Sequence, residues 1–202
     1  MVIAYHLVWT AYGWWLPNDP RGSMSHEIRN DVIAELGELH HGRKTIQPPS
    51  AEILAFYEDA AKRLRHELLT FDAAQRAVLG ECFAQTIKTH RYTCYACAIM
   101  PDHVHILIRK HRDKAEQMIE HLQDQSRLRF RADGLRPPDH PVWGGSGWKV
   151  FLDQLADIER TIRYIEMNPI KVRAPAQRWS FVTEYDRWPR HKPIAAARAE
   201  TH

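Results

Sequence analysis

Residues 91–109 read RYTCYACAIMPDHVHILIR, and this stretch decides the fold. Two short runs rich in β-branched, aromatic and aliphatic residues, 91–99 and 103–109, are separated by a Met-Pro-Asp tripeptide. Because Pro and Asp are typical turn residues, the two runs predict an antiparallel β-hairpin. Side chains alternate between the two faces of a strand, so His103 and His105 project from the same face. Two imidazoles this close on a rigid strand can form half of a metal site.

The flanking sequence predicts the remaining elements of the fold. A first strand is predicted at 3–10, helices at 51–69, 73–90, 114–131 and 157–168, and a last strand at 148–152. Pro169 predicts the end of the last helix, because the residue before a proline is pushed out of helical geometry. The order of elements resembles an α+β, ferredoxin-like sandwich. We therefore expect an antiparallel sheet with helices on one face and an appended C-terminal helix.

The length of 202 residues favours one domain with insertions over two domains. We predict a single domain over residues 1–185, whose first connection is enlarged by a helical insertion at about 23–90. Residues 186–202 are rich in Pro, Arg, Lys and Ala and predict a loose tail.

The bulk composition is that of an ordinary soluble protein. The net charge is +3, and the pI of about 8.8 allows a nucleic acid as partner without requiring one. The N-terminal residues carry neither a signal-peptide pattern nor a membrane span, so we expect a cytoplasmic protein without membrane contact. Cys94 and Cys97 read C-x-x-C within a predicted strand, where a three-residue offset places them on opposite faces. This spacing favours structural roles over a redox or zinc site.

The last helix supplies a candidate second half for the histidine site. Ile158, Ile162 and Ile165 recur at helical spacing and form its buried stripe, while Tyr164 and Asn168 lie one turn apart on one flank. If this flank meets the histidine strand, two imidazoles and an amide oxygen can hold a divalent cation with open positions for a phosphate. The tyrosine hydroxyl is then placed as a nucleophile.

Simpler interpretations of the same residues stay open at this point. Paired histidines on a strand are often half-buried and hydrogen-bonded to their neighbours. A tyrosine on a helix often packs against a sheet, and an asparagine before a proline is a common end of a helix. Periodicity alone does not place the helix beside the strand.

The two motifs together resemble a known family. The segment PDHVHILI at 101–108, followed by Tyr-Ile-x-x-Asn-Pro at 164–169, is similar to the REP-associated tyrosine transposases. These are relatives of the single-strand transposases of small insertion sequences, within the HUH endonuclease superfamily. The resemblance covers most of residues 3–185. One departure is the sequence Trp143-Gly-Gly-Ser-Gly-Trp148, where many relatives carry a tyrosine shortly after the tryptophan.

The resemblance implies a ferredoxin-like fold and a chemistry for each matching position. His103 and His105 match the metal-binding pair, Asn168 matches the third ligand of Mg²⁺ or Mn²⁺, and Tyr164 matches the nucleophile. The third ligand is usually glutamine in the simpler relatives. The implied reaction is cutting and strand transfer of single-stranded or hairpin DNA through a 5′-phosphotyrosine. Some relatives form homodimers that exchange the tyrosine helix, and others work as monomers.

Basic and aromatic residues are candidate contacts to that DNA. Cations on the last two helices and beyond can neutralise phosphates: Arg127, Arg129, Arg131, Arg160, Arg163, Lys171, Arg173, Arg178, Arg187, Arg190 and Lys192. Tryptophans in glycine-containing loops can stack on unpaired bases: Trp14, Trp15, Trp143 and Trp148. A solvated surface and ordinary loop packing are the corresponding structural alternatives.

Two other functions are compatible with parts of the pattern. A domesticated protein that binds hairpin DNA without cutting it would share the basic surface but would not need an intact site. A His-x-His metallohydrolase would need further ligands on later strands of a larger barrel, and no second cluster of this kind stands out in the sequence.

Overall fold

Four strands form one antiparallel sheet with the order β2-β3-β1-β4. The structure, a computed structural model, describes residues 1–189, so Arg190, Lys192 and most of the predicted tail lie outside the described residues. The strands are β1 (Ala4–Thr10), β2 (Cys94–Ile99), β3 (His103–Arg109) and β4 (Trp148–Leu152). The hairpin predicted from residues 91–109 is therefore present, with β3 pairing on both sides.

Five helices are present in residues 1–189, and three of them pack on the sheet. The five helices are α1 (Asp31–Ala34), α2 (Ser50–Arg63), α3 (Ala73–His90), α4 (Ala115–Ala132) and α5 (Leu155–Lys171). Helices α3 and α4 pack on one face of the sheet, and α5 packs on the other face against β2 and β3. With α3 and α4 as its two helices, the chain has the strand-helix-strand-strand-helix-strand order of a ferredoxin-like fold, which confirms the predicted fold class.

Alternation along the strands separates two hydrophobic layers. Trp9, Val104 and Ile106 face α3 and α4, whereas Ala98 and Leu107 face α5. His103 and His105 keep the alternation of β3 and therefore lie on the α5 face, as their spacing predicts. The small side chain of Ala98 pairs with His105 across the hairpin and lets α5 approach the sheet closely.

The predicted end of the last helix at Pro169 is wrong. Helix α5 continues through Pro169 to Lys171. It then ends with Arg173 in the left-handed region at φ 60°, where the Arg173 amide donates to Ile170 O and the Ala174 amide donates to Pro169 O. This pair of hydrogen bonds is a Schellman motif, which satisfies the last carbonyl groups of a helix. Pro169 itself is buried inside the helix.

The prediction that Cys94 and Cys97 lie on opposite faces is also wrong. The pairing of β2 with β3 shifts between Cys94 and Ala96, which is a β-bulge. The extra residue shifts the alternation of side chains along β2, so both cysteines lie in the layer under α3 and α4. All three cysteines are buried and unpaired, which agrees with structural roles for them.

The long first connection builds a small core of its own. Leu16, Tyr57 and Ala60 are buried there. Helix α2 ends at Arg63 rather than at 69, because the following residues turn to pack on the loop after β1, where the Leu69 amide donates to Tyr12 O. Helix α3, within the range predicted as insertion, packs in the main core. The domain limits stay a prediction. No helix in residues 1–189 has the length and apolar character needed to span a membrane.

Candidate active site

Three histidines lie together on the α5 face of the sheet. The pairing of β1 with β3 places Val8 opposite His105, so His6 lies diagonally across from it. The Nε2 atom of His6 is 3.0 Å from Nδ1 of His105, and the two rings stack with centroids 5.2 Å apart. The ring of His103 lies 4.9 Å from that of His105 and perpendicular to it.

Asp102 fixes the orientation of His103. Its Oδ1 atom is 2.6 Å from Nδ1 of His103. Burial alone would raise the pKa of the Asp102 carboxyl, but the hydrogen bond and the charge of His103 outweigh burial and lower this pKa. The carboxylate therefore stays ionised and accepts a hydrogen bond from the Nδ1–H of His103, which leaves the Nε2 lone pair of His103 available to a metal.

Burial keeps the other two imidazoles neutral. It lowers the pKa of His6 to about 4. Burial also holds the pKa of His105 well below its ordinary value, and repulsion by His103, His6 and Lys171 adds to this effect. Neutral imidazole is the form that binds metal, so His105 is in the required state at neutral pH, and neutral His6 can accept a hydrogen bond from it.

Tyr164 of α5 lies beside His105 and His6 of its own chain. Its ring centroid is 5.4 Å from that of His105 and 6.1 Å from that of His6. The side chain is 37% exposed, so a ligand can reach the hydroxyl. The buried Ile158 and Ile165 fix α5 on the sheet and turn the Tyr164 flank towards the histidines.

Two further residues of α5 share this flank. The Lys171 ammonium lies 4.7 Å from the centroid of the Tyr164 ring. Asn168 lies one turn after Tyr164, and its side-chain Nδ2 donates to the Tyr164 carbonyl at 3.0 Å. This hydrogen bond uses only the amide nitrogen, so the carboxamide oxygen of Asn168 can still serve as a ligand.

Trp15 borders the site from the first connection. Its ring lies 6.4 Å from that of His103, and the Arg21 guanidinium stacks on it at 3.8 Å. Arg21 in turn is bound to the buried Asp19 through two side-chain hydrogen bonds of 3.0 and 2.7 Å. The loop after β1 therefore presents a rigidly held aromatic face next to the histidine pair.

Trp14 and Trp143 are placed differently by the structure. Trp14 donates to Leu69 O at 2.9 Å and packs on Tyr57. Trp143 is buried and donates to Ser126 Oγ at 2.9 Å. Both rings contribute to packing, in agreement with the structural alternative given for them, whereas Trp148 is 38% exposed on β4.

The predicted basic residues divide between the two faces of the sheet. Arg160 and Lys171 are exposed on the Tyr164 flank of α5, one and two turns from the tyrosine. Arg163 lies on another flank, in a groove with Tyr95 and Glu159, and Arg173 caps the end of the helix. The three predicted arginines of α4 lie on the opposite face of the sheet from the histidines; they are Arg127, Arg129 and Arg131.

The sequence did not reveal three residues of the site. His6 and Arg21 lie far from the hairpin in sequence, and only the pairing of β1 with β3 and the folding of the first connection bring them in. Asp102 had a local signal, because a carboxylate next to a candidate metal-binding histidine is a common orienting partner.

Two transposase structures are among the solved structures that are distantly similar to this chain. The structure of a REP-associated tyrosine transposase bound to a REP hairpin is 19% identical, with a TM-score of 0.41 over 50% of this chain and 58% of the other. This chain therefore matches little more than half of that relative. The crystal structure of a candidate transposase from Deinococcus radiodurans R1 is 13% identical, with a TM-score of 0.39 over 87% of this chain and 94% of the other.

Family-level comparison is more direct. No curated protein matches the sequence. The family model described as IS200-like transposase matches residues 60–168, which is more than half of the chain. This range runs from the end of α2 to Asn168 and includes His103, His105 and Tyr164. The chain belongs to the IS200-like transposase family.

Proposed function

We propose that this protein is a metal-dependent DNA endonuclease and strand transferase that cuts single-stranded or hairpin DNA. The observation that carries the proposal is the position of Tyr164, whose ring lies 5.4 Å from that of His105 within one chain. A phenol next to the buried imidazole of His105, in a site where Asp102 orients His103, combines a nucleophile with a candidate metal site, which suits phosphoryl transfer to a tyrosine.

The donor set fits a divalent cation. His103 keeps its Nε2 lone pair because Asp102 engages Nδ1. His105 keeps its own Nε2 lone pair in the tautomer in which its Nδ1–H donates to His6 Nε2. The carboxamide oxygen of Asn168 completes the three ligands that we propose for Mg²⁺ or Mn²⁺. When bound, the cation supplies Lewis-acid polarisation of a phosphate oxygen.

The protein's own residues perform the transfer. The Tyr164 Oη attacks the phosphorus and loses its proton to water, and the bond from phosphorus to the 3′ oxygen breaks. The 3′ oxygen leaves as a hydroxyl after taking up a proton, and the 5′ phosphate stays on Tyr164. Attack by another 3′-OH on this phosphotyrosine releases the tyrosine and rejoins the DNA. The Lys171 ammonium, 4.7 Å from the ring centroid, stabilises the negative charge that develops on the phenol oxygen.

Single-stranded DNA fits the surroundings of this site. The ring of Trp15 offers an unpaired base a stacking face next to His103, worth about 1–3 kcal/mol per base. Arg160 and Lys171 can follow the phosphates along the Tyr164 flank of α5. We propose that the tyrosine acts on the metal site of its own subunit, since both lie in one chain, whether or not the protein forms a homodimer.

A nicking assay tests this function. An end-labelled pool of random-sequence single strands, with and without a fixed hairpin, is incubated with the protein and Mn²⁺, Mg²⁺ or EDTA. We expect cleavage with either cation, none in EDTA, and at least a 100-fold loss in His105→Ala, because a buried metal ligand is removed. The matched control His41→Ala changes a histidine of the first connection and should cleave normally. Hairpin binding without cleavage in any condition would contradict the proposal and favour a domesticated binding protein.

A further inference from the structure

A second cluster of metal-binding side chains lies at the other end of β3. His90 ends α3, Asp113 follows β3, and His121 lies in the second turn of α4. One ligand atom from each of them lies within 4.8 Å of the others. The cluster is on the α3 and α4 side of the sheet, and the length of β3, about 20 Å, separates it from His103. It is therefore independent of the proposed catalytic site.

The distances around Asp113 resemble those between ligands of one ion. Its Oδ2 atom is 3.9 Å from Nδ1 of His90, whereas Nδ1 of His111 accepts a hydrogen bond from the Asp113 backbone amide at 3.2 Å. Ligand atoms about 2.1 Å from a tetrahedral metal lie about 3.4 Å from each other. A separation of 3.9 Å is too long for a hydrogen bond. The His90 imidazole thus faces the carboxylate at near-ligand distance without being hydrogen-bonded to it.

The remaining contacts hold the cluster in place. The rings of His90 and His121 stack with centroids 3.8 Å apart. The Tyr92 hydroxyl lies 2.8 Å from both Asp113 Oδ2 and His121 Nδ1. Such an outer hydrogen-bond partner is typical of metal sites, where it orients the ligands. All three potential ligands are only partly exposed.

We propose that His90, Asp113 and His121 form a structural site for a divalent transition metal of the zinc type. Imidazole and carboxylate ligands suit Zn²⁺, and water would fill the fourth position of a tetrahedral ion held by these three side chains. Joint binding of one ion by His90 and His121 would require these stacked rings to tilt apart. The ion then ties the end of α3 to α4 and to the loop after β3.

Zinc competition titration tests the proposal. Tag-free protein is stripped with EDTA and titrated with ZnCl₂ against a chromophoric chelator. We expect the wild type to bind one equivalent of zinc. In His121→Asn the affinity for this equivalent should fall by more than the roughly 10–100-fold that is typical of a change to an outer-shell partner. Tyr92→Phe should weaken the same equivalent by about 10–100-fold. Two control variants should keep this equivalent of zinc. His66→Asn is the matched control and changes a histidine outside the cluster, and His103→Asn changes the proposed catalytic site.

Stability measurements separate lost binding from lost folding. Far-UV circular dichroism checks that His121→Asn and the smaller change Asp113→Asn are folded without metal. We expect ZnCl₂ to raise the Tm of the wild type and of His103→Asn but not that of either folded cluster variant. Equal zinc uptake by the wild type and His121→Asn, or no tight equivalent in the folded wild type, would overturn the proposal. Neither outcome depends on DNA cleavage.

Discussion

At the scale of single residues, the site depends on how the second nitrogen of each histidine is used. Alternation along a strand predicts that His103 and His105 share a face, and the sequence supplies Asp102 next to the first of them. The partner of His105 is His6, which lies on another strand. No local pattern could identify it, because the diagonal contact depends on the register between β1 and β3.

Changing His6 tests its orienting role. We expect His6→Phe to raise the Mn²⁺ concentration needed for half-maximal cleavage by about 10–100-fold, since His105 loses the acceptor for its Nδ1 proton. His6→Gln retains an acceptor oxygen and should recover most of this loss. Metal titrations of cleavage by the two variants provide the comparison, and an equal requirement in both would argue against an orienting role.

The neutral state of His6 also predicts a pH dependence of stability. Its folded pKa of about 4 lies below the ordinary value of 6.5, so the unfolded chain binds this proton first as the pH falls. The stabilisation is complete above pH 6.5 and decreases towards pH 4, by up to about 3 kcal/mol.

Urea denaturation between pH 7 and pH 4, in EDTA, measures this effect. We expect the unfolding free energy to fall less steeply in His6→Gln than in the wild type. Identical pH profiles would show that His6 is not held neutral by the fold.

At the scale of elements, α5 decides whether Tyr164 reaches the histidines. Its apolar stripe was visible in the sequence, and so was the shared flank of Tyr164 and Asn168. The helical turn beyond Pro169 was not visible in the sequence, because the Schellman end and the burial of Pro169 depend on tertiary packing. The bulge in β2 was equally hidden, since no glycine marks it.

Enlarging Ala98 under α5 tests this element. Ala98 is fully buried beside His105 in the layer under α5, so Ala98→Leu should displace α5 and reduce cleavage at least 10-fold, with a stability loss of about 1–3 kcal/mol. Ala115→Leu overpacks the α4 side instead and should lose stability without a comparable loss of cleavage. Equal loss of cleavage in both variants, measured at matched folded fractions, would mean that the position of α5 is not specifically required.

At the scale of the whole molecule, the sheet separates the predicted basic residues into two groups. Helix periodicity predicted which residues of α4 are exposed, but it could not indicate which face of the sheet each helix covers. The arginines of α4 lie across the sheet from the histidines, whereas Arg160 and Lys171 flank Tyr164. Only the second group is placed to follow a strand of DNA into the site.

The salt dependence of DNA binding distinguishes the two groups. We expect Lys171→Gln and Arg160→Gln each to reduce the slope of log K against log salt concentration by about 0.7, the value for one phosphate contact on a single strand. Arg131→Gln, on the opposite face, should leave the slope unchanged. A reduced slope in Arg131→Gln alone would place the DNA on the α4 side.

The central claim is that Tyr164 becomes covalently linked to DNA. Peptide mass spectrometry after incubation with Mn²⁺ and single-stranded DNA tests it most directly. We expect a nucleotide adduct on the peptide containing Tyr164, its loss in Tyr164→Phe with DNA binding retained, and its persistence in the control Tyr185→Phe. An adduct that persists in folded Tyr164→Phe, or one that maps to another tyrosine, would rule out Tyr164 as the nucleophile.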